Sequence, residues 1–365
     1  MSALIVGVAL LSGVQLQGIV RDPAGLRRAL QRARPGQTIQ LAPGIYRGGI
    51  EIRDLDLDPA RPVIVKAQDK QAPPTFVGGD IGLHLANIRG LHLEGLKFVD
   101  AQVAALRIER SGARMPSNEI KLIDIAIEGG RGAGIELIGI EDFSIKNLNA
   151  SAWHADRPAI TLRGVARGSI EAATMVGTSG DGIVLDGGSR DVRITRTVIR
   201  NLSGIGIRLG NPYVRSERGF QVRGIQIEGC QVIRTGIGIQ FDDADGVDLL
   251  ANTLFDCRQA ALQFSGSAPQ GNRNITLRQS VIATESLTGS LVSVSEGFVD
   301  IQKVIFDQNV WYRPGDREAS RPDVPWPNRD ALIGEDPRFN DPVRNDLSLR
   351  SGSPATGRGH TAFRG

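Results

Sequence analysis

Four charged residues fall in four successive apolar segments of one pattern: Arg163 in AITLR (159–163), Asp186 in GIVLD (182–186), Arg208 in GIRLG (206–210) and Asp242 in GIQFD (238–242). Asp243 and Asp245 follow at once. A solvated surface scatters its charges, so this concentration marks a candidate cleft floor. Oxygen ligands from Asp186, Asp242 and Asp243 would suit Ca²⁺. Such an ion neutralises a uronate and stabilises the charge that develops at C5 in a β-elimination. Arg208 falls between the aspartates, where the base that takes the C5 proton would stand. The competing chemistry is glycoside hydrolysis by a carboxylate pair drawn from Asp181, Asp186 and Asp242. The plainest alternative makes Asp186 and Asp242 strand-ending turn residues, with Arg163 and Arg208 as their ion-pair partners.

Two longer segments flank this run. NPYVRSERGFQV (211–222) supplies Tyr213, Arg215 and Arg218, an aromatic surface with cationic neighbours that would bind substrate together with Arg163. ASAWHADRPA (150–159) supplies Trp153 for sugar stacking and His154 as a candidate catalytic group. Long loops on a repetitive scaffold usually build its binding face.

The elements that carry these residues repeat. A short alternating strand that begins Gly-Ile or Ala-Ile is followed by a tight turn and a second strand, as in GIELI, AITLR, GIVLD and GIRLG. Starts at 134, 159, 182 and 206 lie about 24 residues apart, a spacing found in solenoids. No 3.6-residue period is present to supply crossover helices. Equivalent strands must therefore stack in parallel, and the expected fold is all-β, a single-stranded right-handed parallel β-helix.

Alternate strand residues face outward, on rungs about 4.8 Å apart. One outward ladder is expected to run His84, Arg107, Glu136, Thr161, Val184, Arg208, Gln240, Gln263, Ser293. The second runs Ala86, Glu109, Ile138, Arg163, Asp186, Gly210, Asp242, Ser265, Ser295. One domain is expected over 1–365: an N-terminal capping helix within 20–35, coils over 38–310, and an irregular C-terminal cover over 311–365. Asp22 caps the helix, Pro23 opens it, and Leu26 and Leu30 share its apolar face.

Composition narrows the partners. Of 43 Lys and Arg residues only six are lysine, and the net charge is +3. Arginine's planar fork grips carboxylate or sulfate with two hydrogen bonds, so an acidic polysaccharide is the expected partner. No basic tract or nucleic-acid motif is present. Cys230 and Cys257 do not form a disulfide framework and are expected as buried thiols. Ala3–Leu11 is too short to span a bilayer; it reads equally as a signal-peptide core or a first strand. A secreted or periplasmic monomer is the expected setting.

The opening LRRALQRARPGQTIQLAPGIYRGGIEI, then RPVIVKAQDKQAPPTFVGG and LHLEGLKFVD, resembles the chondroitinase B and alginate lyase family of β-helices. The likeness covers roughly residues 20–100 and continues more faintly to about 280. The ending NDLSLRSGSPATGRG resembles the terminal segment of exported β-helix proteins. This resemblance implies uronate elimination by a lysine and an arginine one coil later. Those positions fall at Asp243 and near Phe264, while Ile207–Gly210 matches the family's Ile-Arg-Ile-Gly segment. SGDGIVL is similar to a polygalacturonase segment and puts Asp181 at one of its paired aspartates, with Gly180 and Pro158 at the others. The expected function is thus an acidic-polysaccharide-active β-helix, foremost a lyase. A hydrolase, or a non-catalytic glycan-binding scaffold, is the alternative.

Overall fold

The computed structural model describes residues 18–112, 117–151, 156–177, 179–211, 219–265, 271–285, 289–295, 303–315 and 317–363. Three parallel sheets wind around one core. Sheet A has twelve strands from Thr38–Leu41 to Asn328–Arg329, sheet B twelve from Gly44–Arg47 to Leu332–Ile333, and sheet C ten from Ile50–Asp56 to Ser290–Val294. Each of the first ten coils contributes one strand to each sheet in turn and the last two contribute to sheets A and B, so every sheet neighbour is a coil neighbour. This is the parallel β-helix expected from the repeat.

Tight corners make the winding possible. Between sheets A and B, from the third coil onward, one residue takes a left-handed conformation, among them Asp124, Asn147, Gly229 and Gln279. Asn and Asp tolerate that region because their side chains bond locally, and Gly because it lacks a Cβ. Beside this corner runs a buried polar row. Asn252 Oδ1 accepts the Cys230 N–H at 2.9 Å and its Nδ2 donates to Ile227 O at 2.8 Å. Ser280 and Asn309 repeat the device in the next coils: Asn252 N–H donates to Ser280 Oγ, and Ser280 N–H to Asn309 Oδ1. Backbone groups that the corner takes out of the ladder are satisfied inside the core.

The interior is apolar and stacked in register. Tyr46, Phe76 and Phe98 pile up with ring centroids 5.3 and 5.0 Å apart, and Phe241 lies on Phe264 at 4.6 Å. Cys230 and Cys257 are buried free thiols, which burial pushes up to about 12 and about 11.

The N-terminal lid is the helix Pro23–Gln31, with Asp22 accepting the Gly25 N–H at 2.7 Å and Leu26 and Leu30 buried. At the other end the winding continues past residue 310, through Val310–Tyr312, Asn328–Arg329 and Leu332–Ile333. The chain beyond then folds back along the outside of sheet B. There Phe339, Leu347 and Ala355 join Ile233, Phe255, Val281 and Val310 in a second, smaller core. Thus the C-terminal segment is a strap along one face rather than a plug on the solenoid's end.

Candidate functional site

Strand register fixes the outer face of sheet C. His84, Arg107, Glu136, Thr161, Val184, Arg208, Gln240, Gln263 and Ser293 are consecutive Cα partners, in the order expected. In the second row Glu109, Ile138, Arg163 and Asp186 are consecutive partners, and Asp242 pairs with Ser265. Gly210 bridges the gap between Asp186 and Asp242. Its φ is +103°, and a Cβ there would lie 1.8 Å from the Asp242 carbonyl oxygen. Only glycine fits this close approach.

Charges in this patch are layered. Asp186 is fully buried and takes a two-pronged grip from Arg163, Nε to Oδ1 at 2.8 Å and Nη2 to Oδ2 at 3.1 Å. Asn211 Nδ2 adds a longer contact at 3.4 Å. The Asp186 hydrogen bond is the leading cause that raises the Arg163 pKa, and half-exposed Arg163 keeps its charge at the surface. Arg208 Nη2 lies 2.9 Å from Asp181 Oδ2, while Asp181 Oδ1 accepts the Ile205 N–H at 2.8 Å. Arg208 Nε is buried and meets no acceptor among the described residues. Asp242 and Asp243 are also buried, and Asp243 has a left-handed backbone.

Several expectations change accordingly. Asp186 and Asp242 are 0% and 1% exposed, so neither is a surface carboxylate able to reach a glycosidic oxygen. The simple ion-pair alternative holds for Arg163 with Asp186. Arg208 leans instead toward the sheet B to sheet C corner, onto Asp181, and is not centred between Asp186 and Asp242. Asp186, Asp242 and Asp243 do not make one ion's ligand set. The first two sit two rungs apart, about 10 Å along the stack, whereas Ca²⁺ needs six to eight oxygens at about 2.3–2.6 Å. Among the described residues no three His, Cys, Asp or Glu side chains converge on a metal position. Asp245 belongs to sheet A, where it pairs with Arg223 and Arg273 at 2.9 and 3.1 Å. Trp153, His154, Tyr213, Arg215 and Arg218 lie outside the described residues.

Four ion pairs on this face are not legible from the alternation of the strands. Asp181 was weighed as a hydrolytic acid, not as the partner of Arg208, because the pair crosses a corner instead of following a row. Nearer the N-terminus, His84 Nε2 lies 3.0 Å from Glu109 Oε1 and Nδ1 3.5 Å from Glu51 Oε1, and Arg107 pairs with Glu136. The alternation of sign along the rows was the signal that could have found these last pairs.

No protein-family model matches the chain, and no curated protein sequence matches it. Solved structures do. The A-module of the mannuronan C-5 epimerase AlgE6 of Azotobacter vinelandii is 14% identical, with 86% of this chain and 96% of that one covered at a TM-score of 0.60. The pectate lyase Pel9A is 13% identical over 93% and 91% of the two chains, TM-score 0.58. A rhamnogalacturonan lyase is 13% identical over 76% and 81%, TM-score 0.56. At such identities the likeness is one of fold. No helix among the described residues is long and apolar enough to cross a membrane.

Proposed function

We propose that this protein acts on an acidic polysaccharide laid along the outer face of sheet C, and that the reaction is β-elimination at a uronate. One observation carries the reading: in this patch Arg163 reaches solvent over a buried Asp186, and Arg208 is part-exposed beside it. The Arg163 side chain is 44% exposed over an Asp186 that is 0% exposed. A passing glycan meets guanidinium forks whose orientation is already fixed, and preorganised donors of this kind recognise carboxylates. The fold's likeness to enzymes named for mannuronan, pectate and rhamnogalacturonan supports the same class of substrate.

In the proposed reaction Arg208 neutralises the carboxylate of the uronate that reacts, which makes its C5 proton more acidic, and Arg163 holds the carboxylate of a neighbouring sugar. A base takes that proton, the C5–H electrons form the C4=C5 bond, the C4–O bond breaks, and the protonated base returns its proton to the leaving oxygen. A guanidinium has donors and no acceptor, so Arg208 is assigned the cationic role in place of the basic one. His154 is the base we propose. The scheme assigns no step to calcium, since Asp186 and Asp242 lie two rungs apart and no three such side chains converge among the described residues.

A second reading, glycan binding without turnover, is favoured by one fact: no described side chain at the patch is an exposed base. Affinity electrophoresis through gels that contain uronate polysaccharides tests the common ground. Wild-type protein should be retarded, the shift should shrink as salt rises, and Arg208→Glu should abolish it. Equal mobility of wild type and variant would sink both readings.

A further inference from the structure

The strap leaves a cleft of 250 Å³ where it crosses sheet B. Phe255, Glu285 and Tyr312 line it from the coils, and Asp336, Arg338 and Arg350 from the strap. This is a different sheet from the arginine patch and has a different character. Two carboxylates face two guanidiniums, so the cleft offers donors and acceptors without net charge.

Its groups are held in place. Arg338 Nη1 donates to Gly352 O at 3.1 Å and Arg350 Nη2 to Asn340 O at 2.8 Å, which anchors one nitrogen of each fork. A guanidinium has five N–H donors, so each fork keeps others for a ligand. Asp336 Oδ1 accepts the Arg338 N–H at 2.7 Å. Burial, then Asp336 and Glu285, raise the Tyr312 pKa, so its phenol keeps its proton and can donate. Phe255 meets Phe339 edge to face at 5.5 Å, and Pro314 and Pro337 extend the apolar wall.

We propose that this cleft binds a single uncharged sugar ring. A pyranose has apolar C–H faces and a rim of hydroxyls that both donate and accept, which complements an aromatic and proline wall edged by balanced charges. The volume lies below the roughly 300–1,000 Å³ of sites for drug-sized ligands, so it suits one ring and not an oligosaccharide. A uronate would gain nothing at Arg338 and Arg350 that Glu285 and Asp336 did not take back.

Titration calorimetry of the full chain with the methyl glycosides of glucose, galactose, mannose and glucuronic acid tests this. At least one neutral glycoside should bind with one-to-one stoichiometry, more tightly than the glucuronide. Glu285→Ala and Tyr312→Phe each remove a polar group and should weaken binding about tenfold. Glu285 is exposed and Phe is nearly isosteric with Tyr, so both variants keep the fold, which melting curves check. No heat from any neutral glycoside, a glucuronide that binds as tightly, or binding indifferent to both substitutions would overturn the proposal.

Discussion

Arg163 and Arg208 stand in similar ion pairs and should respond differently to removal. Arg163→Ala strands a fully buried Asp186, which among the described residues keeps the 3.4 Å contact from Asn211. Breaking a buried pair from one side is costly, and with Arg163 half exposed we expect about 2–4 kcal/mol, read as a lower urea midpoint. Arg208→Ala leaves Asp181 its Ile205 N–H, so the loss should be about 1 kcal/mol or less. A reversed ranking would contradict the layered arrangement. A second residue-scale prediction concerns His360, whose backbone N–H donates to Thr253 Oγ1 while that hydroxyl lies 2.8 Å from Nδ1. Burial lowers its pKa from 6.5 to about 4, against an opposing push from Asp346. The undocked imidazole therefore binds its proton more tightly than the docked one. Docking strength is fully present above about pH 6.5 and is lost as pH falls from 6.5 toward 4. The hydrogen-exchange protection factor at 357–363, which corrects each rate for the intrinsic rate at that pH, should fall across that window, and His360→Gln should flatten the change. The outward rows were legible residue by residue, since a strand's period of two leaves little choice. Asp181 was not, because a corner separates it from Arg208 and alternation says nothing about where a corner points.

The corners and the strap are where single elements decide stability. Asn252 serves two backbone groups inside the core, the Cys230 N–H and the Ile227 carbonyl. Asn252→Ala orphans both, at about 1–3 kcal/mol each, and should lower the melting temperature more than alanine at the exposed Asn274. Similar melting of the two variants would show that water replaces the asparagine. At Gly210 the left-handed backbone and the close approach to Asp242 act together. Gly210→Ala should cost about 1–3 kcal/mol from backbone conformation alone, with the displaced Asp242 coil adding to it. Retained stability there, by urea denaturation, would contradict the close approach. The coils could be read from their spacing, and the capping helix from Asp22, Pro23 and its leucines. The strap could not: 335–363 contains little regular structure, and what docks it is scattered. Phe339 on Phe255 and Arg234 Nη2 on Pro342 O at 2.8 Å pair residues far apart in sequence, with no period to announce them.

For the whole molecule, the stack converts a sequence interval into a distance. Residues one coil apart come to lie about 4.8 Å apart on one face, so functional groups from distant segments line a single straight surface. Along sheet C that surface presents Arg163 and Arg208 above buried aspartates, while sheet B is occupied by the strap. The long, regular face of a parallel β-helix suits an extended polymer, and in the proposed function the arginines select anionic ones. The proposed activity of this face is elimination across a uronate linkage. The direct measurement follows the ultraviolet absorbance of the unsaturated uronate product during incubation with a panel of uronate polysaccharides, with wild type and Arg208→Glu side by side. The account predicts a steady rise for wild type on at least one polymer, insensitive to calcium chelation, and none for the variant. Release of new reducing ends without that absorbance, or an equal rise from the variant, would contradict it.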